Sequence, residues 1–258
     1  KELAKKAVNP EKVFERAAQD AVRFSLDEVI GENKWVVIDQ PQISLNSDDR
    51  IFKYHARLTI FPEVKLPEYK KIAEELVKAM KEKIATLTIT EKEIDDSLKW
   101  LQDTRVKGAD GERLEINDEF ARKLGNFKDL VDLKKSLREG VLAEKKERER
   151  QKTLIEILDE IAKETVVDIP QVMVKRYSEG NKLGSEEAEK KVKAHLVVYK
   201  IAETEHLEPT EKEVEEEVQK NQWQLKRSGI DENKFYDYIY ERIQQHKVYA
   251  KLLNTNSN

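Results

Sequence analysis

The sequence predicts an α+β protein that is predominantly α, with a small helix-plus-sheet amino-terminal module and an elongated helical carboxy-terminal body carrying arms. Three observations lead there. Charged residues make up 39% of the 258 positions and apolar residues only 38%, against roughly 25% charged and 45–50% apolar in an average domain. That ratio suits several small cores rather than one deep one, and hence a high ratio of surface to interior. Period-2 alternation is confined to the first 66 residues. Beyond Pro67 almost every segment carries a helical period with recognisable caps.

In order along the chain, Asn9-Pro10 reads as an N-cap followed by Pro at the first helical position. Phe14, Ala17, Ala18, Ala21, Val22, Leu26, Val29 and Ile30 then mark one helical face, and Gly31 is expected to close the helix. Trp35–Ile38 and Ile43–Leu45 read as short strands. After the turn at Asn46–Asp49, Phe52, Tyr54, Ala56, Leu58 and Ile60 alternate with Lys53, His55, Arg57 and Thr59, which predicts a strand with one buried face. Pro62 ends it. Lys83–Ile89 reads as an extended interruption. Thr90-Glu91-Lys92-Glu93 and Thr210-Glu211-Lys212-Glu213 are capping boxes, opening helices to about Val106 and Gln224. Asn117 caps a short helix that Gly125 ends.

The next helix, about 128–164, has an apolar stripe of Leu130, Leu133, Leu137 and Val141 that lapses through Glu144–Lys152 and resumes at Leu154, Ile157, Leu158 and Ile161. The lapse has two readings: a solvated stretch held by pairs such as Glu144–Arg148, or a projecting arm. Ile169-Pro170 opens a helix to about Tyr177. Ser178–Ser185, with Gly180 and Gly184, reads as a loop. Helices follow at 186–205, 210–227 and 231–253. The chain divides into a module 1–85, a linker helix and junction 86–111, and helical segments 112–258.

Several functions are disfavoured. With 48 basic and 52 acidic residues interleaved, no basic stripe suggests sequence-specific nucleic-acid binding. The absence of cysteine excludes disulfide and thiolate chemistry. No stretch reaches the roughly 20 apolar residues of a membrane span, and Lys1–Ala4 has no signal-peptide h-region, so the expected location is cytoplasmic. The start also lacks Met, which leaves room for a removed upstream segment. His55, His195, His206 and His246 are too scattered for a metal pattern, and Gly108–Glu112 is a plain turn rather than a calcium loop. No P-loop, G-x-G-x-x-G or G-x-S-x-G occurs. The expectation is no catalytic residue, no metal and no cofactor.

The aromatics are more informative. Trp223, Phe235, Tyr236, Tyr238, Tyr240 and Tyr249 are six of the 18 in the chain, packed into about a tenth of its length. Phe235, Tyr238 and Tyr236, Tyr240 lie on adjacent helix faces and cannot all enter one core. They are either a helical hairpin whose rings straddle core and rim, or a surface for apolar segments.

Three stretches resemble the trigger factor family of bacterial ribosome-associated chaperones. Pro62-Glu63-Val64-Lys65-Leu66-Pro67-Glu68-Tyr69-Lys70 resembles its P-E-V-x-L-x-x-Y-K. Ile116-Asn117-Asp118-Glu119-Phe120-Ala121-Arg122-Lys123-Leu124-Gly125, continuing through Phe127, Leu133, Lys134 and Arg138-Glu139, resembles its N-D-E-F-A-K-x-L-G-x-F. Val167-Asp168-Ile169-Pro170 is similar to its I-P helix start. The chain departs from the family twice. Fourteen residues separate Gln102 from Asn117, where the family inserts a peptidyl-prolyl isomerase domain of roughly a hundred residues, a typical domain size. The ribosome-contacting loop G-F-R-x-G-K-x-P would precede Lys1.

The resemblance implies a helical cradle that binds nascent or unfolded polypeptide without ATP, with the ribosome as partner of the intact protein and no membrane partner. The candidate client-contact residues are Met173, Tyr177, Val218, Trp223, Leu225, Phe235, Tyr236, Tyr238 and Tyr240. Alternatives are a periplasmic helical-cradle chaperone, a helical scaffold for one folded partner, and an isomerase, against which the missing insert counts.

Overall fold

A computed structural model describes residues 10–45, 52–105, 113–229 and 231–254. The elements, in order, are α1 (Pro10–Asn33), β1 (Gln42–Leu45), β2 (Tyr54–Arg57), α2 (Tyr69–Ala85), α3 (Glu91–Thr104), α4 (Asp118–Leu124), α5 (Leu130–Glu164), α6 (Gln171–Asn181), α7 (Ser185–Glu205), α8 (Glu211–Lys220), α9 (Gln222–Ser228) and α10 (Glu232–Leu253). The protein is thus predominantly helical with one small sheet, as its sequence predicts. It forms two compact units that interleave in sequence: Lys1–Lys65 with Thr165–Leu196, and Leu66–Glu164 with Val197–Asn258.

In the first unit β1 and β2 pair antiparallel, from Gln42 opposite Arg57 to Leu45 opposite Tyr54. Trp35–Ile38 is not a full strand: it meets the chain beyond β2 through a single bridge, Val37 to Ile60. Exposure in β2 alternates as predicted, with Tyr54 and Ala56 half-buried and His55 and Arg57 exposed. The helix α1 lies on this hairpin through Ser25 Oγ and Tyr54 Oη, 2.5 Å apart, and an edge-on Phe14–Phe52 contact. Lys65 and Val166 exchange backbone hydrogen bonds in both directions. On α6, Arg176 donates to the Ile38 carbonyl at 2.6 Å and pairs with Asp39 at 2.7 Å.

Several boundaries differ from the sequence reading. Lys83–Ala85, read as extended, is the last turn of α2. Gly31 does not close α1, which runs on to Asn33 and ends at Lys34 with φ +54°. The amides of Lys34 and Trp35 return to the carbonyls of Gly31 and Ile30, the crossed pair of a Schellman ending. Ser178–Ser185 is mostly helix, because α6 continues through Gly180 to Asn181 and α7 begins at Ser185. Only Lys182–Gly184 connects them, closed by Lys182 at φ +56° and by Ser178 Oγ donating to the Leu183 carbonyl.

Among the described residues the second unit has three small cores. One joins Ala73, Val77 and Met80 of α2 to Ile157 and Ile161 of α5, Val197 and Ile201 of α7, and Val248 and Leu252 of α10. Another joins Ile94 and Leu98 of α3 to Phe120, Ala121 and Leu133. The third joins Val214 of α8 to Phe235 and Ile239 of α10. Because α5 contributes to the first two, its 35 residues are docked at both ends.

The polar stretch between those ends does not project freely. Lys145 donates to the Thr88 carbonyl and pairs with Glu93 at 2.6 Å, while Glu144 and Arg148 form the expected pair at 3.0 Å. An apolar stripe cannot reveal charged contacts, which explains why the lapse suggested an arm. Both capping boxes form as predicted. Each second Glu also takes a lysine from another helix, Lys145 on Glu93 and Lys247 on Glu213. The predicted helix 210–227 breaks at Asn221, whose side chain donates to the Glu217 carbonyl.

Candidate functional site

The structure divides the candidate residues rather than gathering them. Met173 and Tyr177 sit half-buried on α6 in the first unit, with Tyr177 edge-on to His195, ring centroids 5.3 Å apart. The others lie on α8–α10 in the second unit.

There the aromatic-rich hairpin sorts its side chains sharply. Phe235 is a core residue, only 3% exposed. Val218, Leu225, Tyr236 and Tyr240 pack half-buried around it. Trp223 and Tyr238 remain outside, 59% and 53% exposed. The reason is geometric: α10 presents Phe235 and Ile239 to Val214 of α8, and Tyr238 is rotated off that face. Tyr238 is nevertheless held in place, its ring 6.3 Å from that of Phe235 and the Arg242 guanidinium 5.8 Å from its centroid. A half-fixed aromatic ring with an accessible face loses little entropy on contact with an apolar group.

The sequence reading missed a second set of exposed apolar side chains, in the first unit. The stripe on α1 predicts a buried face, yet Val22 alone is buried, while Phe14 is 61% and Val29 is 42% exposed. Phe24, Val36, Leu45 and Val166 are all more than 60% exposed. At about 3.6 residues per turn Phe24 falls beside Ala17 at the edge of the stripe, and it too stays exposed. Nothing in the pattern showed that the stripe itself would stay largely uncovered, since that depends on how much protein lies against it.

The shifted acids are structural. Glu93 and Glu213 are held down to about 2, first by the lysines Lys145 and Lys247 and then by the Thr90 and Thr210 caps. Glu205 is also held down to about 2, by Lys70 first and then by the Tyr69 hydroxyl. Burial pushes the Tyr240 and Tyr249 hydroxyls up. Each of these three acids is tied to a cap or a helix junction, which is what a scaffold needs and differs from a catalytic pair poised near neutrality. Among the described residues no group of three His, Asp or Glu could hold a metal ion, and no helix is long and apolar enough to cross a membrane.

Residues 1–101 match the family model described as bacterial trigger factor protein, and residues 179–256 match that of the bacterial trigger factor C-terminus. Together the two cover more than half of the chain. Among curated proteins, the trigger factor of Caldicellulosiruptor bescii is 27% identical over 189 residues, 55% of this chain and 42% of its own length. Those of Halothermothrix orenii and Borrelia turicatae are each 27% identical, over 41% and 54% of this chain and 32% and 38% of their own. The chain therefore spans less than half the length of these relatives. A solved structure concerned with promiscuous substrate recognition in folding and assembly activities of the trigger factor chaperone aligns with 95% of this chain and 87% of its own. Its TM-score is 0.51 at 13% identity, a likeness of fold.

Proposed function

This chain belongs to the trigger factor family, and on that premise we propose that it is an ATP-independent chaperone that holds unfolded or nascent polypeptide. The observation that carries the reading is a set of large apolar side chains left exposed on a surface rich in charge. Isolated apolar contacts of that kind bind many sequences weakly, and the surrounding charge keeps the loaded protein dispersed. The ribosome is the proposed partner of the intact protein, through a basic loop ahead of Lys1, and the cytoplasm the proposed location. The segments 1–85, 86–111 and 112–258 are the proposed functional parts.

Trp223 and Tyr238 are the proposed client anchors in the second unit, with Val218, Leu225, Tyr236 and Tyr240 as the rim and Phe235 as their support. Met173 and Tyr177 are proposed as contacts in the first. Replacing Trp223 and Tyr238 together with Ala should weaken capture of a reduced, unfolded client by about 1 kcal/mol or more per ring. The urea midpoint should barely move, since both side chains are mostly outside. Unchanged capture by a folded double variant would remove these rings from the client surface.

Isomerase activity is not expected of this chain. Fourteen residues between Gln102 and Asn117 cannot hold a domain, which takes at least about 50. Refolding of a protein limited by proline isomerisation, tens of seconds uncatalysed, should not accelerate at substoichiometric chain. Multiple-turnover acceleration would refute this.

A further inference from the structure

The two capping boxes, Thr90–Glu93 and Thr210–Glu213, are identical in sequence, and in the second unit their likeness extends well beyond the caps. Each box stands four residues after a helix, α2 ending at Ala85 and α7 at Glu205, with a half-buried leucine, Leu87 or Leu207, at the same place in the connection. Each opens a helix, α3 or α8, whose fourth residue, Ile94 or Val214, is fully buried. A seven-residue helix comes later in both, α4 or α9, and a glycine follows it, Gly125 or Gly229. Next is a long helix, α5 or α10, introduced by an aspartate, Asp129 or Asp231, that accepts from the third amide of the helix. Leu133, Leu137 and Lys145 are the fourth, eighth and sixteenth residues of α5, and Phe235, Ile239 and Lys247 are the fourth, eighth and sixteenth of α10. Leu133 and Leu137 pack in the core of Ile94, and Phe235 and Ile239 in that of Val214.

The sixteenth residue makes the likeness more than a shared cap. Lys145 meets the Glu93 carboxylate at 2.6 Å and donates to the Thr88 carbonyl at 3.0 Å. Lys247 meets the Glu213 carboxylate at 2.7 Å and donates to the Glu208 carbonyl at 3.4 Å. Thr88 and Glu208 both stand two residues before the box threonine. A capping box is local and forms wherever its residues occur. A lysine from another helix reaches the same two acceptors twice only if the two helix crossings are alike, and a crossing is set by packing along the whole contact. The copies differ in one connection: residues 105–117 lie between α3 and α4, whereas Asn221 alone lies between α8 and α9.

We infer that the second unit builds one helical element twice, and that Lys145 and Lys247 are its equivalent fasteners, each pinning the start of a box helix to a long helix. Each fastener also positions a ring. Helix α3 carries Trp100 near its far end, and α8 leads through Asn221 to Trp223; these rings are 56% and 59% exposed. Pinned at its first turn, the box helix holds its ring in one direction, whether or not the ring touches a client. The two fasteners share no residue, so either element loosens while the other stays closed. Both lysines are less than a third exposed, so solvent and salt screen the contacts only in part. The competing view is that these are ordinary surface ion pairs, many of which contribute nothing measurable.

Hydrogen exchange of the whole chain, followed by mass spectrometry, separates the two views. Lys145→Met keeps the aliphatic stem, and exchange of Leu87–Ile94 should quicken about three- to tenfold while Leu207–Val214 is unchanged. Lys247→Met should do the reverse. Glu93→Gln and Glu213→Gln preserve the capping box, which accepts Gln as well as Glu, and should quicken the same segments. Combining each with its Met partner should add little, because the same contact is already lost. The Gln variants serve if a Met variant does not fold. Unchanged exchange at a box that has lost its lysine overturns the inference, as does a response at one box and not the other. Faster exchange across the entire second unit overturns it too, since the lysines would then support the fold as a whole. Additive effects of the Met and Gln changes overturn the pairing of lysine and box, and the fasteners with it.

Discussion

Phe235→Ala should lower the unfolding free energy by about 3–5 kcal/mol, the usual cost of removing a buried aromatic ring. Phe235 is 3% exposed and sits with Val214 and Ile239 at the centre of the smallest core in the second unit. Its remaining neighbours, Val218, Leu225, Tyr236, Tyr240 and Ile243, are half-buried at the edge of the core and would have to move inward to fill the space. Client capture per folded molecule should change far less than in the Trp223 and Tyr238 double variant. Urea titration of Phe235→Ala beside Tyr238→Ala separates the two roles, although the residues are three apart on one helix. Equal, small stability losses for both would mean that the hairpin core is looser than its packing indicates.

Glu205→Gln should cost about 1–3 kcal/mol at neutral pH, the range for a largely desolvated charged hydrogen-bond partner. The Glu205 side chain is 10% exposed and accepts from the Tyr69 hydroxyl at 2.5 Å, with Lys70 at 2.7 Å and Lys251 at 3.5 Å. One carboxylate thus ties α2, α7 and α10 together. Both lysines are more than half exposed, which keeps the cost below that of a fully buried pair.

The effect carries a pH signature. The folded-state value is depressed, from 4.5 to about 2, so the stabilisation is complete above 4.5 and is lost as pH falls towards 2. Glu93 and Glu213 lose theirs in the same window, but they are common to both proteins. The gap between parent and Glu205→Gln should therefore shrink from pH 5 to pH 2. A gap independent of pH would show that the ionised carboxylate is not its source.

Features legible in the sequence are those set by local chemistry. A Thr three residues before a Glu satisfies the first amides of a helix wherever it occurs, so both capping boxes and the Asn117 cap could be read directly. The alternation from Phe52 to Ile60 identified β2 because a strand turns its side chains every second residue. The motif from Asn117 to Gly125 pointed to the family before any fold was known. Phe235 and Tyr238 are equally aromatic and lie on the same helix, and the sequence left core and rim open between them. Only the position of α8, meeting Phe235 and missing Tyr238, made one a core residue and the other a surface ring. The α1 stripe is the same lesson in reverse. Its period showed which residues share a face, but exposure was decided by how little of a thin hairpin lies against it. Periodicity specifies which residues point together; whether they are buried depends on partners distant in sequence, and only the tertiary structure supplies those.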